Sequence, residues 1–228
     1  MSEAFEVVKS EYQATGEWKD IWENPVIKCI TGCIPFLSAG LDSGLTQMIE
    51  ERQRKKLEML FGLILEDGEI TVDDVQDVDC IMEFAKTIDV VNRLIRNDKI
   101  KYLANLLKNS IKEKEKDIDE FEELLNKLAE LSLREIDLLH LLYEEEEELR
   151  IENSDHEKVI DYEKSWKSFL EKAKEKYGMN ASDIVSKMLG IMRTGFCMSE
   201  WRSYLSARSA LVMYTSPEYR RLLNKIRA

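Results

Sequence analysis

Four cysteines are the side chains best suited to bind a metal, but their spacing does not assemble a site. Cys29 and Cys33 would lie one turn apart on a helix, where Cys80 or Cys197 could join them as ligands. A structural zinc site takes about four Cys or His ligands at close spacing. The chain has neither a CxxC pair nor a histidine near these cysteines. We therefore predict buried, reduced thiols, no metal and no cofactor.

The remaining polar residues show no spacing typical of an enzyme. His140 stands between Leu139 and Leu141 in a helical pattern, which is typical of a helix-surface residue. Acidic pairs such as Asp73 and Asp74 are common in a chain with 45 acidic residues and do not mark a paired-carboxylate site. A Ser–His–Asp or Cys–His arrangement is assembled in space, so spacing leaves that alternative open. The prediction is a non-enzyme with no catalytic residue.

A basic C-terminal region stands out in an acidic chain. The net charge is −12, whereas residues 186–228 carry +6 and the preceding 185 residues carry −18. A basic region can contact nucleic-acid phosphates, or it can pair with the protein's own acidic body or an acidic partner. We favour the second interpretation, because the overall charge argues against nucleic-acid binding by the whole protein. The candidate contacts for nucleic acid or an acidic partner are Lys187, Arg193, Arg202, Arg208, Arg220 and Arg221.

The composition predicts a mainly helical protein. Hydrophobic residues make up 44% and charged residues 34% of the 228 positions, with only 9 Gly and 3 Pro. This length accommodates one large domain or two small ones. The polar, acidic start of the chain does not read as a secretory signal, so a cytoplasmic location is expected.

The most apolar stretch, Val26 to Leu41, spans about 16 residues, against roughly 20 for a membrane-spanning helix. Lys28, Pro35 and two glycines interrupt it. We predict a buried hairpin-like or broken helical segment that packs against helices 45–65 and 73–109. An interfacial or re-entrant membrane contact is the alternative. The residues expected in the core are Ile30, Ile34, Phe36 and Leu37.

Helical periodicity continues through the first half of the chain. Apolar residues mark a helix over 45–65, and its charged segment EERQRKK should be solvated or meet another chain. Asp67-Gly68 should end this helix, and Thr71 with Asp74 resembles a capping arrangement for the next. The apolar spacing over 73–109 predicts two antiparallel helices with a break near Asn97-Asp98.

The second half contains clear helix boundaries. Ser132 and Glu135 form a capping box for a helix that ends in Glu144–Glu148, and we predict that these glutamates are a solvated helix end. A surface for a cation or a basic partner is the alternative. A helix over 157–177 should end at Gly178, and Asn180 should cap the next. The expected buried stripe of that next helix is Ile184, Val185, Met188, Leu189 and Met192.

The C-terminal pattern then changes to a hairpin. Thr194-Gly195 should end a helix, strands are expected over 196–201 and 211–214, and Thr215 or Ser216 should cap a last helix with Pro217 at its first position. The last helix should bury Tyr219, Leu222, Leu223 and Ile226. Trp166 and Trp201 are expected to be core or interface anchors.

This helix–Gly–hairpin–helix layout resembles a winged helix-turn-helix module over residues 132–228. The resemblance implies supporting helices at 132–146 and 157–177, with 181–193 in the recognition position. Winged modules bind proteins as well as DNA, so the fold does not fix the function.

A second resemblance concerns residues 25–110. The segments PFLSAGLDSGL and NRLIRNDKIKYLANLL, joined by a charged helix, look like small uncharacterised helical proteins of bacterial phages and mobile elements. Some of those proteins are encoded near anti-phage defence genes. The resemblance implies a bacterial, cytosolic setting.

Together these observations predict a helical region over 1–131 and a winged-helix-like region over 132–228 with a short β-hairpin. The leading function is a non-catalytic interaction or regulatory subunit, of a phage, mobile-element or anti-phage defence system, that binds another protein or itself. One alternative is a DNA-binding regulator acting through residues 181–227. A second, disfavoured alternative is a membrane-associating effector acting through residues 26–45.

Overall fold

The structure is a computed structural model that describes residues 19–33, 44–113, 117–152, 158–203 and 209–227. It is mainly helical, with a small antiparallel hairpin near the C-terminus, as the sequence predicts. The chain forms two compact units, Met1–Leu125 and Asn126–Arg227. The predicted domains, 1–131 and 132–228, stay a prediction, because compactness does not show what folds independently.

Helices build the whole of the described N-terminal unit. Helix α3 packs against α4 and α5, and α2 packs against α4. The predicted break near Asn97-Asp98 is confirmed, since α4 and α5 are separated there by a short 3₁₀ helix. In chain order the elements are α1 (Lys19–Glu23), α2 (Pro25–Cys33), α3 (Gly44–Leu65), α4 (Val78–Arg93), the 3₁₀ helix (Asn97–Lys99), α5 (Ile100–Lys112) and the first part of α6 (Ile118–Glu130).

The start of α4 differs from the prediction. Thr71 donates to the Asp74 carboxylate through both its amide (2.8 Å) and its hydroxyl (2.7 Å), but these bonds close a turn outside the helix. The helix begins at Val78, where the side chain of Asp77 accepts from the Asp79 amide at 3.3 Å. The end of the preceding helix is as predicted, because Gly68, three residues after Leu65, adopts φ of +62° and its amide donates to the Leu65 carbonyl at 3.0 Å.

Helix α2 contributes to the core of this unit. Val26, Ile27 and Ile30 are buried, which agrees with the core interpretation for Ile30. The other residues of that prediction, Ile34, Phe36 and Leu37, lie outside the described residues. No helix in the described ranges is long and apolar enough to cross a membrane.

The charged middle of α3 is not solvated on every side, which corrects the prediction. Lys56 is buried, and its Nζ donates to the carbonyls of Asn92 (3.1 Å) and Leu94. Arg52 donates to the carbonyl of Ile95. The last carbonyls of a helix lack intrahelical donors and carry partial negative charge. Lys56 therefore caps the C-terminal end of α4, and Arg52 binds the segment that follows it.

In its described residues the C-terminal unit combines the end of α6 and four further helices with two small hairpins. Helix α9 packs against α7 and α8, both of which also contact β4, while β3 packs against α9. Strands β3 and β4 are antiparallel, with Cys197 opposite Thr215 and Ser203 opposite Ser209. After the end of α6 the elements are α7 (Leu133–Glu148), β1 (Arg150–Glu152), β2 (Lys158–Ile160), α8 (Tyr162–Tyr177), α9 (Ala181–Met192), β3 (Cys197–Ser203), β4 (Ser209–Thr215) and α10 (Pro217–Ile226).

Local signals at helix ends are confirmed in this unit. Ser132 and Glu135 form both bonds of the capping box, Gly178 adopts φ of +63° after α8, and Asn180 caps α9. The predicted start of the helix over 157–177 is wrong, because α8 begins at Tyr162. Val159 and Ile160 belong to β2, where they pair with β1.

Candidate interaction surface of the C-terminal unit

The five glutamates at the end of α7 do not share one environment. Glu145 and Glu146 are buried, whereas Glu144 and Glu148 are exposed. The prediction of a solvated helix end is therefore wrong for Glu145 and Glu146. Helical spacing explains this, since both continue the buried face that carries Leu138 and Leu142 one or two turns earlier.

Glu146 is held by three donors from the following hairpin and helix. Its carboxylate accepts from the Thr215 amide at 2.6 Å, from the Thr215 hydroxyl, and from Nη2 of Arg220 at 2.8 Å. Burial raises the pKa of Glu146, and these donors offset that shift only in part. The contacts fix the end of β4 and the start of α10 to α7.

Neighbouring glutamates bind other parts of the same unit. Glu145 accepts from the Ser168 hydroxyl and pairs with Lys172 on α8. Glu147 accepts from Nη1 of Arg220 at 3.0 Å and from Arg150 at 3.1 Å. We call Glu145, Glu146 and Glu147 the glutamate lock, because the cations and hydroxyls they bind belong to the same chain.

The polar groups around the glutamate lock are poorly suited to covalent chemistry. Burial, together with the charge of Glu146, raises the pKa of the Cys197 thiol to about 12. Burial is also the main cause of the raised pKa of Tyr162. A thiol with that pKa stays protonated at neutral pH and is a weak nucleophile. Across the described residues, no group of three or more Cys, His, Asp or Glu could hold a metal ion.

Helix α9 presents a ridge of four exposed residues opposite its buried side. Ile184, Met188 and Ile191 are buried. The predicted stripe is wrong at Leu189, which is 48% exposed, and it missed Ile191. A stripe spaced i, i+4, i+7 from Ile184 selects the residues that are buried. Asp183 and Lys187 are also exposed, and we define the α9 ridge as the exposed residues that share one side of the helix and its C-terminal end, Ser182, Ser186, Leu189 and Arg193.

The hairpin leaves a tryptophan exposed on β3, the strand that packs against α9. Gly195 adopts φ of +78° and turns the chain from α9 into β3. Trp201 lies on the same face of the hairpin as the buried Cys197, four residues further along the strand, and it is 70% exposed. The core interpretation is therefore wrong for Trp201, whereas Trp166 is buried and stacks on Phe169.

The structure separates the predicted contact residues. Lys187 and Arg193 are exposed, and neither side chain forms an ion pair or hydrogen bond with any residue in the described ranges. Arg220 binds Glu146 and Glu147. Arg221 is exposed on α10. Arg202 lies on β3 opposite Ala210, and Arg208 lies outside the described residues.

The structure also describes the four cysteines and His140, the residues considered above as metal ligands and as a base. All four cysteines are free, but Cys33 is exposed and Cys29 only half-buried, so the prediction of buried thiols holds for Cys80 and Cys197 alone. His140 is partly exposed on α7, with Nε2 3.3 Å from Glu144, as expected for a helix-surface residue.

Comparison with protein-family models, curated proteins and solved structures finds no match to this chain.

Proposed function

We propose that this protein is a non-catalytic interaction or regulatory subunit whose winged-helix-like C-terminal unit binds another protein. The observation that carries the proposal is Trp201, a large aromatic side chain that is 70% exposed on a hairpin whose base is firmly anchored. Tryptophan and arginine are enriched in the central residues of protein interfaces. Arg193 and Leu189 lie on the adjoining helix.

The environment of the polar groups supports a non-catalytic role. The glutamate lock uses the most concentrated acidic run of the chain for internal contacts, and Cys197 is buried with a raised pKa. An acid–base or nucleophilic site needs groups that can reach a substrate. These groups are instead enclosed by the fold.

A DNA-binding regulator acting through residues 181–227 is the second candidate. It is favoured by Lys187 and Arg193, which are exposed on the helix that the winged-helix resemblance places in the recognition position. It is disfavoured because Arg220 is held by the glutamate lock and Leu189 occupies the middle of the α9 ridge. Binding to DNA phosphates becomes stronger with the number of cations that are free to contact them, and Arg220 is not free because it is paired with glutamates.

Lipid contact through residues 26–45 is the least supported alternative. The described part of that segment buries Val26, Ile27 and Ile30 within the protein, so these side chains are not available to a bilayer. The setting that we propose, a bacterial phage, mobile-element or defence system, rests on the sequence resemblance of residues 25–110. A cytoplasmic location is consistent with four free cysteines.

Affinity capture of the full chain followed by rebinding of the purified partner tests the proposal. We expect Trp201→Ala to weaken rebinding strongly, because removing an interface anchor typically costs 2 kcal/mol or about thirtyfold in affinity. Val78→Ala is the matched control, since Val78 is also exposed (67%) but lies on α4. Equal rebinding of wild type and Trp201→Ala would contradict the proposal, and a partner that proves to be duplex DNA would favour the regulator.

A further inference from the structure

We infer that α4 carries a self-complementary surface through which two copies of the chain pair with their α4 helices antiparallel. The inference goes beyond the proposed function, because it concerns the N-terminal unit and a second copy rather than the C-terminal unit and a different protein. It is carried by two features of α4, opposite charges at its two ends and exposed apolar side chains on one of its faces.

The beginning of α4 lies in an acidic stretch, since residues 57–85 contain no lysine or arginine. Asp73, in the turn before the helix, and Asp79, in its first turn, have no ion-pair partner among the described residues. These two carboxylates leave this end of the helix with negative charge that no described cation neutralises. We define the acidic end of α4 by its four aspartates, Asp73, Asp74, Asp77 and Asp79.

The other end of α4 adjoins cations that lack acidic partners. Arg52 donates to the carbonyl of Ile95, a neutral group, and no carboxylate in the described ranges pairs with it. Lys101 lies over the ring of Tyr102 and likewise forms no ion pair in the part of the chain that the structure describes. Lys101 is in the first turn of α5, where the helix dipole disfavours a cation, so its charge does not serve that helix.

Two exposed ion pairs offset the positive charge only in part. Arg93 pairs with Asp89 at 2.8 Å, and Arg96 pairs with Asp98 at 3.0 Å. We define the basic end of α4 by its exposed cations, Arg52, Arg93, Arg96 and Lys101. It keeps a positive net charge when Asp89 and Asp98 are counted. The acidic and basic ends are separated by the 16 residues of α4, which is about 24 Å.

One face of α4 exposes apolar side chains to the solvent. Val78 is 67% exposed and Met82, one turn later, is 43% exposed. Ala85, Asp89 and Arg93 continue this face at helical spacings of three and four residues. The small side chain of Ala85 at its middle allows a second helix to approach closely. We call these five residues the α4 face.

A second copy of the chain fits both ends of this surface. An antiparallel α4 places the acidic end of each copy against the basic end of the other, and two-fold symmetry forms both contacts at once. With the axis near Ala85, Asp79 lies opposite Arg93 of the second copy, and the apolar side chains are covered. Lys86, which flanks the axis, is already paired with Glu122. A partner of uniform charge would be repelled by one of the two ends.

The expected dimer is weak and reversible, because one helix face is a small interface. Two chains of net charge −12 also repel each other at longer range, so salt screens both the attraction and the repulsion. Charge reversal is therefore a sharper test than salt. Sedimentation of the full chain at concentrations from about 1 to 100 μM measures the dissociation constant of the dimer.

Reversal of either end should weaken the dimer. We expect Asp79→Lys and Arg93→Glu each to raise the dissociation constant tenfold or more, because each brings like charges together at two symmetric contacts. An equal mixture of the two variants should form a heterodimer about as tight as the wild-type dimer, since opposite charges then face each other again. Met82→Ser should also weaken the wild-type dimer, through the loss of apolar contact.

Two control variants change the net charge by the same amounts elsewhere. Lys164→Glu matches Arg93→Glu, and Glu171→Lys matches Asp79→Lys, both at exposed positions of α8. Neither control should change dimerisation. Circular dichroism confirms that each variant folds, and recovery of the dimer in the mixture shows that both reversed chains are intact.

Three results would overturn the inference. The wild-type chain could remain monomeric over the whole range, or its dimer could survive both reversals, or the mixture could fail to restore the dimer, which would show that the two ends do not face each other. Self-association that is lost in Trp201→Ala but kept in Arg93→Glu assigns the contact to the C-terminal unit and also overturns it. The proposed function is tested separately, because rebinding of a captured partner through Trp201 does not depend on the α4 face.

Discussion

Arg220 on the last helix binds Glu146, a glutamate with no exposed surface, through a bond of 2.8 Å between Nη2 and the carboxylate. The sequence predicts that both residues are exposed: Arg220 as a contact for a partner, and Glu146 as part of a solvated helix end. In the structure they form an ion pair and a hydrogen bond with each other. The basic C-terminal region therefore has two roles: Arg220 anchors the hairpin, while Lys187 and Arg193 face outward.

The stability of the protein should depend on the protonation of Glu146. Burial raises its pKa above the ordinary value of 4.5, so between those two values the folded state binds more protons than the unfolded state. The contribution of Glu146 to stability is thus fully present below pH 4.5 and is lost as the pH rises through the raised value. We expect Glu146→Gln to lack this component, so the free energy of unfolding of the variant minus that of wild type should increase with pH across the window.

Urea unfolding of wild type and Glu146→Gln at several pH values above 4.5 measures this difference. The other glutamates of the lock are present in both proteins, so their titration largely cancels. A difference that does not change with pH would show that Glu146 titrates alike in the folded and unfolded chains.

Two glycines with positive φ should respond unequally to alanine. Gly178 (φ +63°) has open space where a Cβ would lie. Gly178→Ala should therefore lower the free energy of unfolding only by the cost of a left-handed backbone for alanine, about 1–2 kcal/mol. At Gly195 (φ +78°) a Cβ would lie 2.9 Å from Oε2 of Glu218, which is paired with Lys127. We expect Gly195→Ala to lower the free energy of unfolding by about 0.5–1 kcal/mol more than Gly178→Ala does, because the new methyl group would push Glu218 away from Lys127. Chemical denaturation of both variants checks the order, and an equal loss would mean that Glu218 moves aside freely.

Lys56 should stabilise the N-terminal unit through the end of α4. Its buried ammonium donates to two carbonyls at the end of α4, and burial, which lowers the pKa of Lys56, offsets part of what these bonds contribute, so a net contribution of about 1 kcal/mol remains. We expect a loss of that size in the free energy of unfolding of Lys56→Met. The adjacent Lys55→Met is the control, because Lys55 is exposed and pairs with Glu51 only at the surface. Similar losses in the two variants would contradict the capping role.

Local structure in this chain is predictable from the sequence because it depends on neighbouring residues. The capping box of Ser132 and Glu135 forms within four residues, and Gly178 and Ser216 mark helix boundaries by their own backbone preferences. The hairpin after α9 is predictable in the same way, because Gly195 marks the turn that precedes it. These features need no distant partner.

Long-range partners decide the features that sequence reasoning missed. Lys56 is buried because the end of α4 lies against it, some 36 residues away in the chain. Glu146 can be buried because Thr215 and Arg220 supply donors about 70 residues later, and the glutamate run by itself does not indicate that such donors exist. Helical spacing from Leu142 would have selected Glu146, had the acidic run been given the same phase as the apolar face before it.

A double-mutant cycle between Glu146 and Arg220 tests the central claim most directly. The free energy of unfolding is measured for wild type, Glu146→Gln, Arg220→Met and the double variant, with Arg193→Met as the control for an outward arginine. If Arg220 anchors the hairpin, Arg220→Met alone should cost about 1.5–3 kcal/mol, because it removes charged hydrogen bonds to Glu146 and Glu147. The two substitutions should be coupled by about 1–3 kcal/mol, and Arg193→Met should stay within about 0.5 kcal/mol of wild type. Additive effects within about 0.5 kcal/mol, or an equal cost at Arg193, would contradict the division between an anchoring and an outward-facing arginine.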